Sequence, residues 1–138
     1  MPSYMADKSA LARVETRPEV SAVLDPLLLE GEVATCGIID LEVLYSAESP
    51  RAYADYATAL RTLPRVSVTE TVLDRALEVQ AHLAKHSQHR GVQLPDLIIA
   101  ACAEGAGLTV LHYDADYERI AEVTGQPVQW VVPRGSVD

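Results

Sequence analysis

The chain has 138 residues, the usual size of one domain and enough to bury a core without disulfides or metals as staples. Its 49% hydrophobic and 22% charged residues exclude a disordered chain, and its longest apolar runs, such as residues 97–103, are too short to span a bilayer. A net charge of −9 argues against a partner gripped through phosphates, unless several acids converge on a site that takes divalent cations.

From the N-terminus, Met1-Pro2-Ser3-Tyr4 has neither a basic segment nor a long apolar one, so a cytoplasmic protein is expected. Residues 3–6 read as a short first strand ending at Asp7, and Ser9 as the cap of a short helix over 10–15. Pro18 suits the first turn of a helix running to Leu24 or, past Pro26, to Glu30. Residues 33–35 form a second strand. A helix over 38–47 follows, with Ile38, Leu41, Leu44 and Tyr45 at helical spacing. Ser49-Pro50 opens a helix over 51–63 that Pro64 stops, and 66–68 alternates like a strand. Thr69 opens a long amphipathic helix that dissolves at His86-Ser87-Gln88-His89-Arg90-Gly91.

Leu94-Pro95-Asp96 then introduces a nearly all-apolar helix over 97–106, which should be central and buried. Residues 109–113 make a strand leading to Asp114, 117–123 a short helix with Asp116 as its cap and Gly125 as its end, and 128–132 a last strand. Cys36 and Cys102 stand far apart in apolar surroundings and read as buried, reduced thiols rather than a disulfide. Short apolar strands separated by helices make one α/β domain over 1–138, with a mainly parallel sheet flanked by helices on both faces. In such sheets ligands bind outside the carboxyl ends of the strands.

Four carboxylates stand out by position. Asp7 and Asp114 each follow a strand directly and share that rim, where strand-end turns also favour Asp. Asp96 opens the apolar helix, a place the helix dipole favours. Glu42 lies among Ile38, Ile39 and Tyr45 on its helix, which is costly unless it is paired, metal-bound or able to reach water. Oxygen-only ligands favour Mg2+ or Mn2+ over zinc.

These segments resemble the four motifs of the PIN-domain family. Met5-Ala6-Asp7-Lys8-Ser9-Ala10-Leu11 resembles its opening, Ile39-Asp40-Leu41-Glu42-Val43-Leu44-Tyr45 its second motif and Leu94-Pro95-Asp96-Leu97-Ile98-Ile99-Ala100 its third. The stretch from Leu111 to Ile120, including Asp114, Asp116 and Tyr117, resembles the fourth, and Gly125-Gln126-Pro127-Val128 suits VapC-type toxins. The resemblance covers nearly the whole chain. Its main departure is Lys8, where Thr is more usual, with a side chain free to point away from the site.

The resemblance implies a PIN fold and a Mg2+-dependent endoribonuclease, with Mn2+ as a substitute. Asp7, Glu42, Asp96 and Asp114 would be the catalytic quartet and the metal ligands, Asp116 an accessory metal acid and Ser9 a supporting hydroxyl. Its products would carry a 5′-phosphate and a 3′-hydroxyl. It further implies an RNA substrate with accessible loops, a homodimer, and a cognate VapB-type antitoxin that inhibits by placing an Arg against the quartet. Arg13, Arg17, Lys85, His89 and Arg90 are candidates for a basic rim. The helix over 51–63, with Tyr53 and Tyr56, is a candidate partner surface, although half-buried core tyrosines are the favoured explanation.

Three other readings compete. His82, His86 and His89 have zinc-like helical spacing but no fourth ligand. Asp114-Ala115-Asp116 resembles the motif of haloacid-dehalogenase phosphatases, but too little chain follows it. A non-catalytic PIN-like module for binding protein or nucleic acid remains, although it has no need of all four acids.

Overall fold

Strand β1 (Tyr4–Ala6) is short, and its Met5 and Ala6 are fully buried. It lies at the centre of a sheet because apolar chain covers both of its faces. The computed structural model describes residues 1–138. Its sheet has the order β2-β1-β3-β4, with β2 at Val33–Ala34, β3 at Thr109–His112 and β4 at Val128–Trp130, and every pair is parallel. The helices are α1 (Lys8–Leu11), α2 (Pro18–Leu29), α3 (Gly37–Tyr45), α4 (Pro50–Leu60), α5 (Glu70–Ala84), α6 (Leu94–Gly105) and α7 (Asp116–Thr124).

The two-residue period of the strands divides the interior into two cores. Met5, Ala34 and Val110 face a larger cluster built with Ile39 of α3, Val79 and Leu83 of α5, Ile99 and Cys102 of α6, and Tyr117 and Ile120 of α7. Ala6, Val33 and Leu111 face a smaller cluster with Ala10 of α1, Val20 and Leu24 of α2, and Val131, Val132 and Val137. Successive chain segments leave β1 in opposite directions, to β2 on one side and to β3 on the other. That places a topological switch point between β1 and β3, where open parallel sheets form their binding crevice.

Several elements depart from the sequence expectations. The helix expected over 10–15 under a Ser9 cap is instead α1, capped by Asp7, whose Oδ2 accepts from the Ser9 amide at 3.0 Å. The Ser9 hydroxyl is committed elsewhere, accepting from the Tyr113 amide at 2.8 Å. The strand expected over 66–68 does not form. Thr35 and Arg65 make an isolated bridge, and Cys36 then leads directly into α3, leaving no strand to pair with. Val66 and Val68 still pack on the larger core.

In α3 the buried residue is Ile39, while Leu41 and Tyr45 are exposed, so the apolar spacing read from the sequence did not mark the inward face. Helix α6 starts one turn earlier than expected, and α2 continues through Pro26. Cys36 and Cys102 are free and buried, and the Cys102 thiol donates to Ser67 O at 3.8 Å. No helix is long and apolar enough to cross a membrane.

Candidate metal centre

Four elements deliver carboxylates to the carboxyl end of β1 and β3. Asp7 follows β1, with its amide donating to Leu111 O at 2.9 Å, so the register of β1 against β3 fixes its backbone. Asp114 lies just beyond β3, and its Oδ1 accepts from the Asp116 amide at 2.9 Å. Glu42 comes from the middle of α3 and Asp96 from the first turn of α6. Asp7, Glu42 and Asp96 place carboxylate oxygens within 4.8 Å of one another, and so do Asp96, Asp114 and Asp116. The two triads share Asp96. Asp7, Glu42, Asp96 and Asp114 line one cleft with Lys8, Ser9, Arg13, Gln93 and Asp138.

Burial makes this cluster expensive without a cation. Asp7 and Asp96 are each only 3% exposed, and Asp96 Oδ2 is buried with no hydrogen-bond partner. Burial, reinforced by the Asp7 charge, pushes the Asp96 carboxyl up to about 9. Glu42 is also raised, by burial first and by the charge of Asp7 second, against a partial offset from Lys8. An orphaned carboxylate oxygen among acids that repel one another suits a hard divalent cation, because such ions take oxygen ligands and supply the missing charge. The donor set therefore fits Mg2+ or Mn2+.

Two residues that hold the acids in place were not singled out as functional from the sequence. The fully buried Tyr117 hydroxyl donates to Asp7 Oδ1 at 2.8 Å and lies 3.3 Å from Asp96 Oδ1. His112 Nδ1 accepts from the Asp114 amide at 3.1 Å, while its ring packs between Tyr117 and Trp130. Burial lowers His112 to about 4, so it is a neutral acceptor at physiological pH. The aromatic after Asp116 was visible as part of a motif, but nothing in a one-dimensional pattern says that its hydroxyl reaches residues far upstream.

The other expectations resolve as follows. Ser9 lies in the cleft, where it links α1 to the segment after β3. Lys8 lines the cleft rather than pointing away. Asp116 does not cap α7 with its side chain. It opens that helix, and its Oδ2 accepts from the Gln93 amide at 3.1 Å, tying α7 to the start of α6. Arg13 lines the cleft and Arg17 shares its Asp138 partner, whereas Lys85, His89 and Arg90 sit on the connection between α5 and α6, outside the cleft lining. The three-histidine zinc reading fails because α5 ends at Ala84 and the backbone turns at Ser87, φ 55°, so His89 leaves the helix face. Tyr53 is 51% exposed, while Tyr56 lines an apolar groove with Leu11, Leu28, Val43 and Leu63.

The profile of the PIN domain matches residues 4–123, a span that contains every acid of the cluster. Ribonuclease VapC51 of Mycobacterium tuberculosis is 46% identical over 135 residues, covering 98% of this chain and 97% of that protein. Ribonuclease VapC21 of the same species is 47% identical over 134 residues, covering 96% of each. Among solved structures, a DNA-bound VapBC complex from Salmonella typhimurium superposes with a TM-score of 0.72 at 19% identity, over 96% of this chain and 100% of that one. A toxin–antitoxin complex from Klebsiella pneumoniae gives a TM-score of 0.73 at 20% identity, over 94% and 98% of the two chains. At that identity the structures attest the fold, and the curated relatives carry the kinship. With a parallel α/β sheet, a cluster of acids at its carboxyl rim and relatives alike over nearly their full lengths, the chain belongs to the PIN-domain family, among the VapC ribonucleases.

Proposed function

We propose that the protein is a Mg2+-dependent endoribonuclease that acts as the toxin of a toxin–antitoxin pair in the cytoplasm. The observation that carries this reading is the convergence of Asp7, Glu42, Asp96 and Asp114 on one cleft, with Asp96 Oδ2 buried and unpartnered. Asp7, Glu42 and Asp96 would hold one divalent cation, and Asp96, Asp114 and Asp116 are arranged for a second. When bound, such a cation neutralises the scissile phosphodiester and lowers the pKa of a water for in-line attack.

The chain's own contribution is positioning. Tyr117 fixes Asp7 against Asp96, the Asp116 amide orients Asp114, and the Gln93 amide orients Asp116. Lys8 supplies a positive charge beside Glu42. No side-chain nucleophile is required, which agrees with a cleft lined by acids, Ser9 and cations. Single-stranded loops of structured RNA suit such a cleft, because their backbone can enter it.

A cognate antitoxin of the VapB type is the proposed inhibitor. The apolar groove of Leu11, Val14, Leu28, Val43 and Tyr56 has Lys8 on its wall and so abuts the acidic cleft, where an antitoxin Arg would meet the carboxylates. The exposed Leu77 and Leu94 belong to an apolar depression between α5 and α6, the face proposed for the homodimer.

The test is cleavage of total cellular RNA by purified, antitoxin-free protein with Mg2+, Mn2+ or EDTA, alongside Asp7→Ala and Asp96→Ala. Discrete fragments that need both the metal and the two carboxylates are expected. A folded, inhibitor-free protein that cuts nothing under any of these conditions would turn the reading to a binding module.

A further inference from the structure

The segment over 133–138 packs against Tyr113 and brings Asp138 to the acidic cleft. The Tyr113 hydroxyl organises it, accepting from the Gly135 amide at 2.9 Å and the Val137 amide at 3.3 Å. Val137 is buried in the smaller core. The next residue, Asp138, lines the same cleft as the carboxylate cluster. There its carboxylate is gripped by Arg17 through a two-pronged pairing, Nε to Oδ1 at 3.1 Å and Nη2 to Oδ2 at 2.6 Å. Its main-chain oxygen accepts from Arg13 Nη2 at 3.4 Å.

Arg13 is held ready for an anion but is not satisfied by this one. Its guanidinium donates to Ser9 O and stacks 4.5 Å from the centre of the Tyr113 ring. Its Nε is buried without a hydrogen-bond partner, and the nearest Asp138 oxygen, at 3.7 Å, is too far to serve. The two-pronged carboxylate on Arg17 has the geometry that a phosphate takes on the same fork. Asp138 is 63% exposed, so the pairing is of the weak, solvent-screened kind that a polyanion displaces.

We propose that Arg13 and Arg17 form a subsite for a backbone phosphate of RNA, and that Asp138 occupies it as a built-in surrogate until RNA displaces it. This rests on the ribonuclease reading above. A chain of net charge −9 whose cleft gathers acids needs fixed cations to admit a polyanion; Arg13 lines that cleft, and Arg17 adjoins it through Asp138. A strand crossing the cleft meets arginines and carboxylates in succession. An acidic segment of a protein partner would offer charge to the arginines, but it would bring further carboxylates to the repelling cluster.

The test is binding of a short 2′-O-methyl RNA of mixed sequence, followed by fluorescence anisotropy in EDTA across a salt series. Asp138→Asn, which keeps the shape and removes the charge, is expected to tighten binding about two- to fivefold. It should also steepen the log–log salt dependence by about 0.7 for each further phosphate engaged. Tyr113→Phe, which frees the segment without altering its charge, should act in the same direction. Arg13→Gln with Arg17→Gln should weaken binding, and adding Asp138→Asn to that pair should change nothing further.

Thermal unfolding of each variant separates a lost contact from a lost fold. Unchanged or weaker RNA binding by both folded Asp138→Asn and folded Tyr113→Phe overturns the proposal. So does a gain in affinity for a Glu-rich peptide without one for RNA. If the wild type cuts RNA while neither Asp138→Asn nor Tyr113→Phe gains affinity, the surrogate fails and the ribonuclease reading survives. If no variant binds or cuts RNA, both fall.

Discussion

One phenolic oxygen holds two of the carboxylates together. The Tyr117 hydroxyl donates to Asp7 and lies within reach of Asp96, and burial drives the phenol well above its ordinary pKa, so it stays protonated as a donor. Tyr117→Phe removes that oxygen and keeps the ring against His112. Mg2+ affinity measured by calorimetry is expected to fall about tenfold, as for other residues that orient metal ligands, with near-native far-UV circular dichroism.

Asp96 gives a second prediction at this scale. Its folded carboxyl, near 9, lies far above its ordinary 3.8, so its contribution to stability is fully present at low pH and is lost as pH rises through the folded value. Metal-free protein should therefore lose melting temperature from about pH 5 to 9, and Asp96→Asn, the uncharged isostere, should flatten that part of the slope. The acids were legible in the sequence because strand ends and helix starts are marked locally. Tyr117 was not, since its hydroxyl acts across more than a hundred residues of chain.

At the scale of elements, α6 holds Asp96 through its packing. Ile99, Ala100, Cys102 and Ala103 are buried in the larger core, and that packing fixes Asp96 in the first turn. Ile99→Ala is expected to cost about 2–5 kcal/mol in chemical denaturation, the usual range for emptying a buried aliphatic site. Ser9→Ala should cost about 1–3 kcal/mol, because the Tyr113 amide loses its acceptor.

The strands around Asp7 and Asp114 and the long helices were readable from periodicity and from capping residues. The strand over 66–68 was not excluded by its pattern, since Val66 and Val68 do turn inward. It fails only because β2 is two residues long and gives way to α3. The short α1 was misread because two oxygen-bearing side chains, Asp7 and Ser9, competed for one cap. The hydrogen bond that decides between them involves Tyr113, far away in sequence.

At the scale of the whole molecule, a bound metal would be coupled to the fold. A cation that binds the assembled acids but not the unfolded chain stabilises the fold by mass action. Millimolar Mg2+ is expected to raise the melting temperature of the wild type, and Asp7→Asn should abolish the rise. Asn has one acceptor oxygen where Asp7 uses two, so each protein is compared with its own metal-free form, and a Mg2+-induced rise that persisted in this variant would count against the assigned ligands.

The order β2-β1-β3-β4 has one more consequence. Asp7 and Asp114 become neighbours only when β3 adds to β1, after more than a hundred residues have been made. A ribosome synthesising this chain therefore carries separated acids for most of the message, and the chemistry proposed for them would have to wait until β3 has docked. Termination before β3 leaves Asp7 without the strand whose register fixes its backbone, and the second triad without Asp114 and Asp116, so a truncated chain would lack the assembled site that the proposed ribonuclease needs.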